Sequence, residues 1–157
     1  QGNIETSIVR IGSFGKFGIA KRDDKNVRSA ETQYKVAGRY ILSDEVFAQI
    51  QKLSLSKARG RYLETNAQNY TLLNIFPKTG RTHQIRVHMS SIGHPVIGDQ
   101  TYGNPGLNRF FAKKFAFRRQ FLHAYFIGFR SPDTKKEISV KAELPEELKN
   151  LETRLRL

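Results

Sequence analysis

Reactive side chains are concentrated in one stretch of the sequence, residues 80–103. Apolar residues at helical spacing, Ile85, Met89 and Ile92, run through it and would anchor one face of a helix in a core. The polar side chains would then be left facing other groups. Guanidinium and imidazole groups arranged in this way could bind phosphate, transfer protons or bind a metal. These polar residues are Arg81, His83, Gln84, Arg86, His88 and His94.

Three kinds of site are compatible with these residue types. A zinc site would use His83, His88 and His94, but spacings of five and six residues do not place two imidazoles on one helical face. We therefore expect no metal. A metal-free nuclease could use paired histidines as acid and base, with Arg86 holding a phosphate. The third possibility is structural, with several of these side chains and Asp99 satisfying buried backbone groups.

The surrounding segments predict an α+β fold with a mixed, mainly antiparallel sheet flanked by helices, because strands often follow one another directly. We expect a single domain over residues 1–157, in which residues 1–28 are largely irregular. Alternating or apolar patterns predict strands at 7–11, 29–36 with a bulge at Gly38, 70–76 in the sheet interior, and 122–129 paired as a hairpin with 137–142. Capping signals and apolar stripes predict helices at 43–53, at 82–92 ending at Gly93, within 104–121, and from Pro145 to Leu155.

The net charge points to nucleic acid as a partner. Lys and Arg number 27 against 14 Asp and Glu, which gives +13, and a basic surface attracts phosphate. A generic basic surface or an acidic protein partner would also explain this charge. The basic residues expected to form a nucleic-acid surface are Lys57, Arg59, Arg61, Lys113, Lys114, Arg118 and Arg119. Phenylalanines between the last four could stack on bases, but we favour an amphipathic helix that buries them.

Other features of the composition concern compartment and completeness. The chain has no cysteine, which fits a reducing interior, and we expect a cytoplasmic protein. No apolar run approaches the roughly 18 residues of a membrane span, and no signal-peptide pattern is present, so no membrane partner is expected. The chain begins with Gln1 and its one methionine is Met89, so we expect a processed piece of a longer protein.

The central stretch resembles the C-terminal motif of the RluA-type pseudouridine synthases. The matching residues are Gly80-Arg-Thr-His-Gln-Ile-Arg-Val-His88, Gly93-His94-Pro95, Gly98-Asp99 and Tyr102-Gly103. The strand from Ala30 to Val36, Leu122-His123-Ala124 and Leu144-Pro145 resemble the same family, so the likeness runs from about Ser29 to the end. This resemblance implies isomerisation of uridine to pseudouridine in ribosomal or transfer RNA, with ribosomal RNA favoured, and without any cofactor.

The resemblance also implies roles for individual residues. Arg86 matches the arginine that pairs with the family's catalytic aspartate, and a guanidinium within about 4 Å of a carboxylate keeps it ionised and fixes its direction. The aspartate belongs to an Arg-Leu-Asp motif that this sequence lacks. We therefore expect the C-terminal part of a catalytic domain, inactive without its N-terminal half, or alternatively a non-catalytic RNA-binding module. The implied substrate-binding residues are Arg81, Thr82, His83, Gln84, Ile85, His88 and Leu122.

Overall fold

Six strands and four helices form within residues 1–12, 15–54 and 68–156, the part of the chain that the computed structural model describes. They make the α+β arrangement that the sequence predicts. A four-stranded antiparallel sheet has the order β2-β1-β3-β4, and β5 and β6 form a separate two-stranded sheet. The elements are β1 Gly2–Ile11, β2 Lys16–Ile19, β3 Arg28–Ile41, α1 Asp44–Ser54, β4 Asn69–Pro77, α2 Gln84–Ser91, α3 Pro105–Phe115, β5 Phe126–Arg130, β6 Glu137–Lys141 and α4 Glu146–Leu155.

The prediction of an irregular segment at residues 1–28 is wrong. β1 pairs with β3 from Gly2 opposite Tyr34 to Ile8 opposite Arg28, and β2 pairs back onto the end of β1. Ile4 and Ile8 are buried on one face of this sheet. Pairing with a strand more than twenty residues away stabilises β1, and that partner is not visible in the local pattern.

The other strands agree with prediction in part. The bulge expected at Gly38 is confirmed, because the register with β4 shifts between Val36 and Gly38. β4 was predicted to lie in the interior of the sheet, but among the described strands it is at the edge. Its faces also differ, since Leu73 and Ile75 are half-buried whereas Asn74 and Phe76 are exposed.

Most of the core lies where α1, α3 and α4 meet at one end of the sheet. α3 buries Phe110 and Phe111, so the amphipathic interpretation of residues 104–121 is confirmed. The leucine stripe predicted for α4 is also buried. The side chain of Leu53 and the basic residues Lys57, Arg59 and Arg61 lie outside the described residues. The cluster comprises Leu42, Ile50, Phe110, Phe111, Phe117, Leu148, Leu151 and Leu155.

α2 packs across the sheet and carries the reactive stretch. Its Val87 contacts Ile8 and Ala30. It begins two residues later than predicted because His83 has a left-handed backbone, with φ of 57°. It ends at Ser91, one residue before the predicted end, and the cap is confirmed, since Gly93 has φ of 83° and its N–H donates to the carbonyl of Ser90. No described helix is long and apolar enough to cross a membrane.

Candidate functional site

Gln84, the first residue of α2, holds the helix to the sheet. Its side-chain oxygen accepts from the Thr79 hydroxyl at 2.7 Å and from the Arg81 N–H at 3.0 Å. Its side-chain nitrogen donates to the Glu31 carbonyl at 2.9 Å and to Thr32 Oγ1 at 3.0 Å. The residue is only 4% exposed. The prediction that Gln84 contacts substrate is therefore corrected: all of its polar atoms are used inside the fold.

His88 is also a buried structural residue. Its side chain is fully buried, with Nδ1 2.9 Å from Thr32 Oγ1 on β3 and Nε2 3.1 Å from Thr6 Oγ1 on β1. Burial lowers the pKa of the imidazole. The expected substrate contact by His88 is therefore also wrong, because both ring nitrogens bond to threonines of the sheet. These bonds occupy the nitrogens that a metal or an acid–base role would require.

Arg86 lies on the opposite side of α2 from these contacts and makes a bidentate ion pair. Nε donates to Asp99 Oδ2 at 2.6 Å, and Nη2 donates to Oδ1 at 2.8 Å. The Arg86 side chain is 14% exposed and that of Asp99 is fully buried. A planar fork held at two points keeps its direction better than a singly bonded cation. Within the described part of the chain, Nη1 donates no hydrogen bond.

A short loop after α2 fixes Asp99 in this position. Gly98 has φ of 75°, and a side chain there would collide with the Arg119 carbonyl. The Asp99 carbonyl accepts from Asn108 Nδ2, and its Oδ1 accepts from the N–H groups of Thr101 and Tyr102. Burial alone would raise the pKa of the Asp99 carboxyl, but the hydrogen bonds from Arg86 and the two N–H groups hold that pKa below its ordinary value. The carboxylate is therefore ionised at neutral pH.

Tyr102 joins this ion pair to the β1–β2 hairpin. Its ring lies 5.0 Å from the Arg86 guanidinium carbon, within the range of a cation–π contact. Its hydroxyl accepts from the Phe17 N–H at 2.9 Å and lies 3.0 Å from His83 Nδ1. Burial, and then the nearby Arg86 charge, lower the pKa of His83. The side chains of His83, Arg86, Asp99 and Tyr102 thus form one connected group, which the backbone N–H of Phe17 joins to β2.

The acidic partner of Arg86 differs from the expectation. The sequence analysis places that carboxylate outside this chain, whereas the structure shows Asp99 of the same chain bound to the guanidinium. The correction has a physical cause, because the left-handed turn at Gly98 directs the next residue back toward α2. Asp99 is fully buried and accepts from backbone N–H groups, so it anchors the arginine and is not available for attack on a substrate.

The remaining predicted substrate-binding residues lie on or near the surface. Thr82 is exposed, and Ile85 and Leu122 are half-buried. Arg81 is half-buried and its Nε donates to the Ser29 carbonyl at 3.2 Å. Only Arg86 and His83 among the expected site residues meet in the group around Tyr102. An open cleft beside this group is lined by residues of β1, β2, α2 and the loop at Thr101 and Tyr102.

The basic residues near the end of α3 are exposed, although Phe115 and Phe117 between them are half-buried and buried. Lys113 and Lys114 lie in the last turn of the helix, and Arg118 and Arg119 follow it; all four side chains are exposed. Basic side chains at a helix C-terminus also interact favourably with the helix dipole. These four residues are thus accessible, and their place in a nucleic-acid surface stays a prediction.

Sequence reasoning missed two residues of this group as partners of Arg86. Tyr102 was noted only as part of a motif, and Asp99 as part of that motif and as a group that could satisfy buried backbone atoms, which it does by accepting from the N–H groups of Thr101 and Tyr102. The signal was the glycine before Asp99, which indicates a sharp turn, together with the absence of another acidic residue between Arg86 and Asp99.

Comparisons with known proteins place these residues in a family. Residues 1–91, more than half of the chain, match the family model of RNA pseudouridylate synthases. The tRNA pseudouridine synthase C of Vibrio cholerae is 34% identical over 125 residues, which cover 80% of this chain and 45% of that protein. The ribosomal large subunit pseudouridine synthase D of Zymomonas mobilis is 42% identical over 88 residues, or 55% of this chain and 28% of that protein.

A solved structure agrees with these relatives. The human RNA pseudouridylate synthase domain containing 1 superposes with a TM-score of 0.61 at 26% identity and covers 92% of this chain, but only 48% of that structure is matched. This chain therefore spans less than half the length of each of these three proteins.

Proposed function

Because the chain belongs to the RNA pseudouridylate synthase family, we propose that it forms the C-terminal part of an enzyme that isomerises uridine in structured RNA. In that reaction the N1–C1′ glycosidic bond breaks, the freed uracil turns, and a C5–C1′ bond forms. The hydrogen on C5 leaves and N1 gains a proton, so no oxidant or cofactor is consumed. The observation that carries the proposal is the Arg86 guanidinium, held by Asp99 and Tyr102 within the family's motif.

Arg86 orients the nucleophilic aspartate, which is supplied by the half of the catalytic unit that this chain lacks. Asp99 binds Nε and Nη2, so Nη1 remains to donate to a second carboxylate. An arginine between two carboxylates keeps both ionised. Because the guanidinium is already fixed before the second half binds, little further ordering is required at the site.

The substrate surface is proposed to include the exposed basic residues after α3. Lys113, Lys114, Arg118 and Arg119 position the RNA backbone, while Arg81, Thr82, His83, Ile85 and Leu122 contact the uridine or its neighbours. Extracting a uridine from its stack costs a few kcal/mol, which these contacts must offset. The named relatives include one enzyme for ribosomal RNA and one for transfer RNA, and we propose ribosomal RNA as the substrate to test first. A cytoplasmic location fits a chain without cysteine.

A second function is favoured by one observation. Arg86 already has a carboxylate partner, as a purely structural arginine would. In that case the chain would be an RNA-binding module that performs no chemistry.

Tritium release from RNA containing 5-tritiated uridine distinguishes these functions, because only isomerisation removes the hydrogen on C5. We expect release by the native protein purified from the cells that make it, faster on ribosomal than on transfer RNA, and none by the isolated 157-residue chain. No release by the native protein on either RNA would refute the enzymatic proposal. Release by the isolated chain would show that no second half is needed.

Arg86→Lys in the native protein tests the assigned role. Lysine keeps the charge but loses the planar fork, so kcat should fall at least about 100-fold while RNA affinity changes less than about twofold. Arg156→Lys is the matched control, because Arg156 also pairs with a carboxylate, Glu152, but on α4. Equal turnover of the Arg86→Lys variant and the wild type would show that Arg86 does not have the proposed role in the active site.

A further inference from the structure

The ion pair between Arg86 and Asp99 does not by itself fix the orientation of the guanidinium completely. Nε and Nη2 bind the carboxylate at 2.6 and 2.8 Å, which fixes the direction of the fork within its own plane. The plane can still tilt about the line through these two nitrogens. Because Nη1 lies on the far side of that line from the carboxylate, such a tilt would change the direction in which Nη1 donates.

Tyr102 is placed to oppose this tilt. The guanidinium carbon of Arg86 lies over the Tyr102 ring, 5.0 Å from its centroid, where the negative face of the ring attracts the cation. The backbone N–H of Tyr102 also donates to Asp99 Oδ1 at 3.0 Å. The ring that contacts the guanidinium is thus joined through its own backbone to the carboxylate that binds it.

The Tyr102 ring is held at its hydroxyl end as well. The hydroxyl accepts from the Phe17 N–H of β2 at 2.9 Å and lies 3.0 Å from His83 Nδ1, so its hydrogen is available to donate to that nitrogen. Burial and the Arg86 charge lower the pKa of His83, which favours the neutral imidazole that accepts this bond. At the other end of the residue, Ser90 Oγ donates to the Tyr102 carbonyl at 3.1 Å.

A second group on α4 and β3 has the same three kinds of side chain. Arg156 donates to Glu152 Oε1 at 2.6 Å, the Tyr40 hydroxyl donates to the same oxygen at 2.9 Å, and the Arg156 guanidinium lies 5.7 Å from the Tyr40 ring centroid. The Arg156 side chain is 63% exposed, whereas that of Arg86 is 14% exposed. The group at Tyr40 therefore provides a control in which a similar hydrogen bond can be removed away from the candidate site.

We propose that Tyr102 is a positioning residue, which sets the direction of Arg86 Nη1 because its hydroxyl is bonded to the backbone of β2. This inference rests on the proposed function, in which Nη1 donates to the nucleophilic carboxylate. It adds a residue that acts on the reaction through Arg86, and it makes the β1–β2 hairpin a support of the site.

The kinetic test is Tyr102→Phe in the native protein, which removes the hydroxyl and keeps the ring. The kcat for tritium release should fall at least about fivefold while RNA affinity changes less than about twofold, because a misdirected Nη1 affects the reacting group and not the RNA contacts. Tyr40→Phe also removes one hydrogen bond of a tyrosine beside an arginine and a carboxylate, and it should keep the wild-type kcat. Equal kcat in all three proteins, or an equal decrease in both variants, would overturn the inference.

A second measurement needs no catalysis. NMR of the 157-residue chain can follow exchange of the Arg86 Nε hydrogen with solvent, which should be at least about threefold faster in Tyr102→Phe and unchanged in Tyr40→Phe. Ser90→Ala keeps the test decisive if Tyr102→Phe does not fold, because alanine favours the helix while the bond to the Tyr102 carbonyl is lost. It should speed this exchange about twofold.

The two measurements separate failure of the inference from failure of the proposed function. Unchanged exchange at Arg86 in both Tyr102→Phe and Ser90→Ala would overturn the positioning role. Faster exchange in these variants, together with no tritium release by the native wild-type protein, would refute the proposed function while Tyr102 would still fix the orientation of Arg86.

Discussion

His88 shows how a single buried residue can be given a definite protonation state. Thr32 Oγ1 accepts from Gln84 and lies 2.9 Å from His88 Nδ1, and we assign its hydroxyl hydrogen to a bond with Nδ1, which gives the hydroxyl both a donor and an acceptor. Nε2 then carries the proton and donates to Thr6 Oγ1. A second proton on Nδ1 would leave the Thr32 hydroxyl without an acceptor and would place a charge in the interior.

This arrangement predicts a loss of stability in mildly acidic solution. Burial lowers the pKa of His88 from its ordinary value of 6.5, so the unfolded chain binds more protons than the folded chain as the pH falls below 6.5. The unfolding free energy from urea titration should therefore be constant near pH 7.5 and should decrease below about pH 6.5.

A variant without the titrating ring isolates this contribution. His88→Gln should reduce the pH dependence between 7.5 and 5.5, whatever its effect on absolute stability. A smaller pH dependence should remain in this variant, because the pKa of His83 is also lowered by burial. His94→Gln, the same change at an exposed position, is the matched comparison. An unchanged slope in the His88→Gln protein would contradict the assignment of this pH dependence to His88.

The loop between α2 and α3 is the element that sets the direction of Arg86. We predict that Gly98→Ala destabilises the protein, because a left-handed backbone costs a residue with a side chain about 1–2 kcal/mol and the added carbon would collide with the Arg119 carbonyl. Gly80→Ala is the control, since no atom lies within 4 Å of a side chain added there. Its effect should stay below about 0.5 kcal/mol.

Thermal and urea unfolding would measure the stability of both glycine variants. Equal stability of the Gly98→Ala and Gly80→Ala proteins would mean that the turn adjusts at little cost, and the loop would then not be a rigid support for Asp99. Because Asp99 follows Gly98 directly, the Gly98→Ala variant should also expose the guanidinium of Arg86 to faster hydrogen exchange.

At the scale of the whole molecule, the sequence predicts what depends on near neighbours. The cap at Gly93, the bulge at Gly38 and the leucine stripe of α4 each rest on residues within a few positions, and each is confirmed. The buried roles of Gln84 and His88 depend on partners 53 and 82 residues away. Their polar side chains therefore resemble site residues until the pairing of β1 with β3 brings the threonines beneath them.

Net charge is also a property of the whole molecule, and it predicts how the affinity for RNA depends on salt concentration. If the chain binds RNA through phosphates, log K should fall linearly with log salt concentration, with a slope of about 0.7 to 0.9 for each phosphate neutralised. Replacing Lys113 and Lys114 by glutamine should make that slope shallower by about 1.5 and weaken binding at low salt.

The adjacent pair Lys135 and Lys136 in the β5–β6 turn, which is equally exposed and lies outside the proposed RNA surface, provides a control of identical charge change. Filter binding to a structured ribosomal RNA fragment from 50 to 300 mM salt would measure the slopes of the wild type and both double variants. An equal decrease in slope in both double variants would mean that the charge acts over the whole surface. A wild-type affinity that does not depend on salt would mean that the chain does not bind RNA through phosphates.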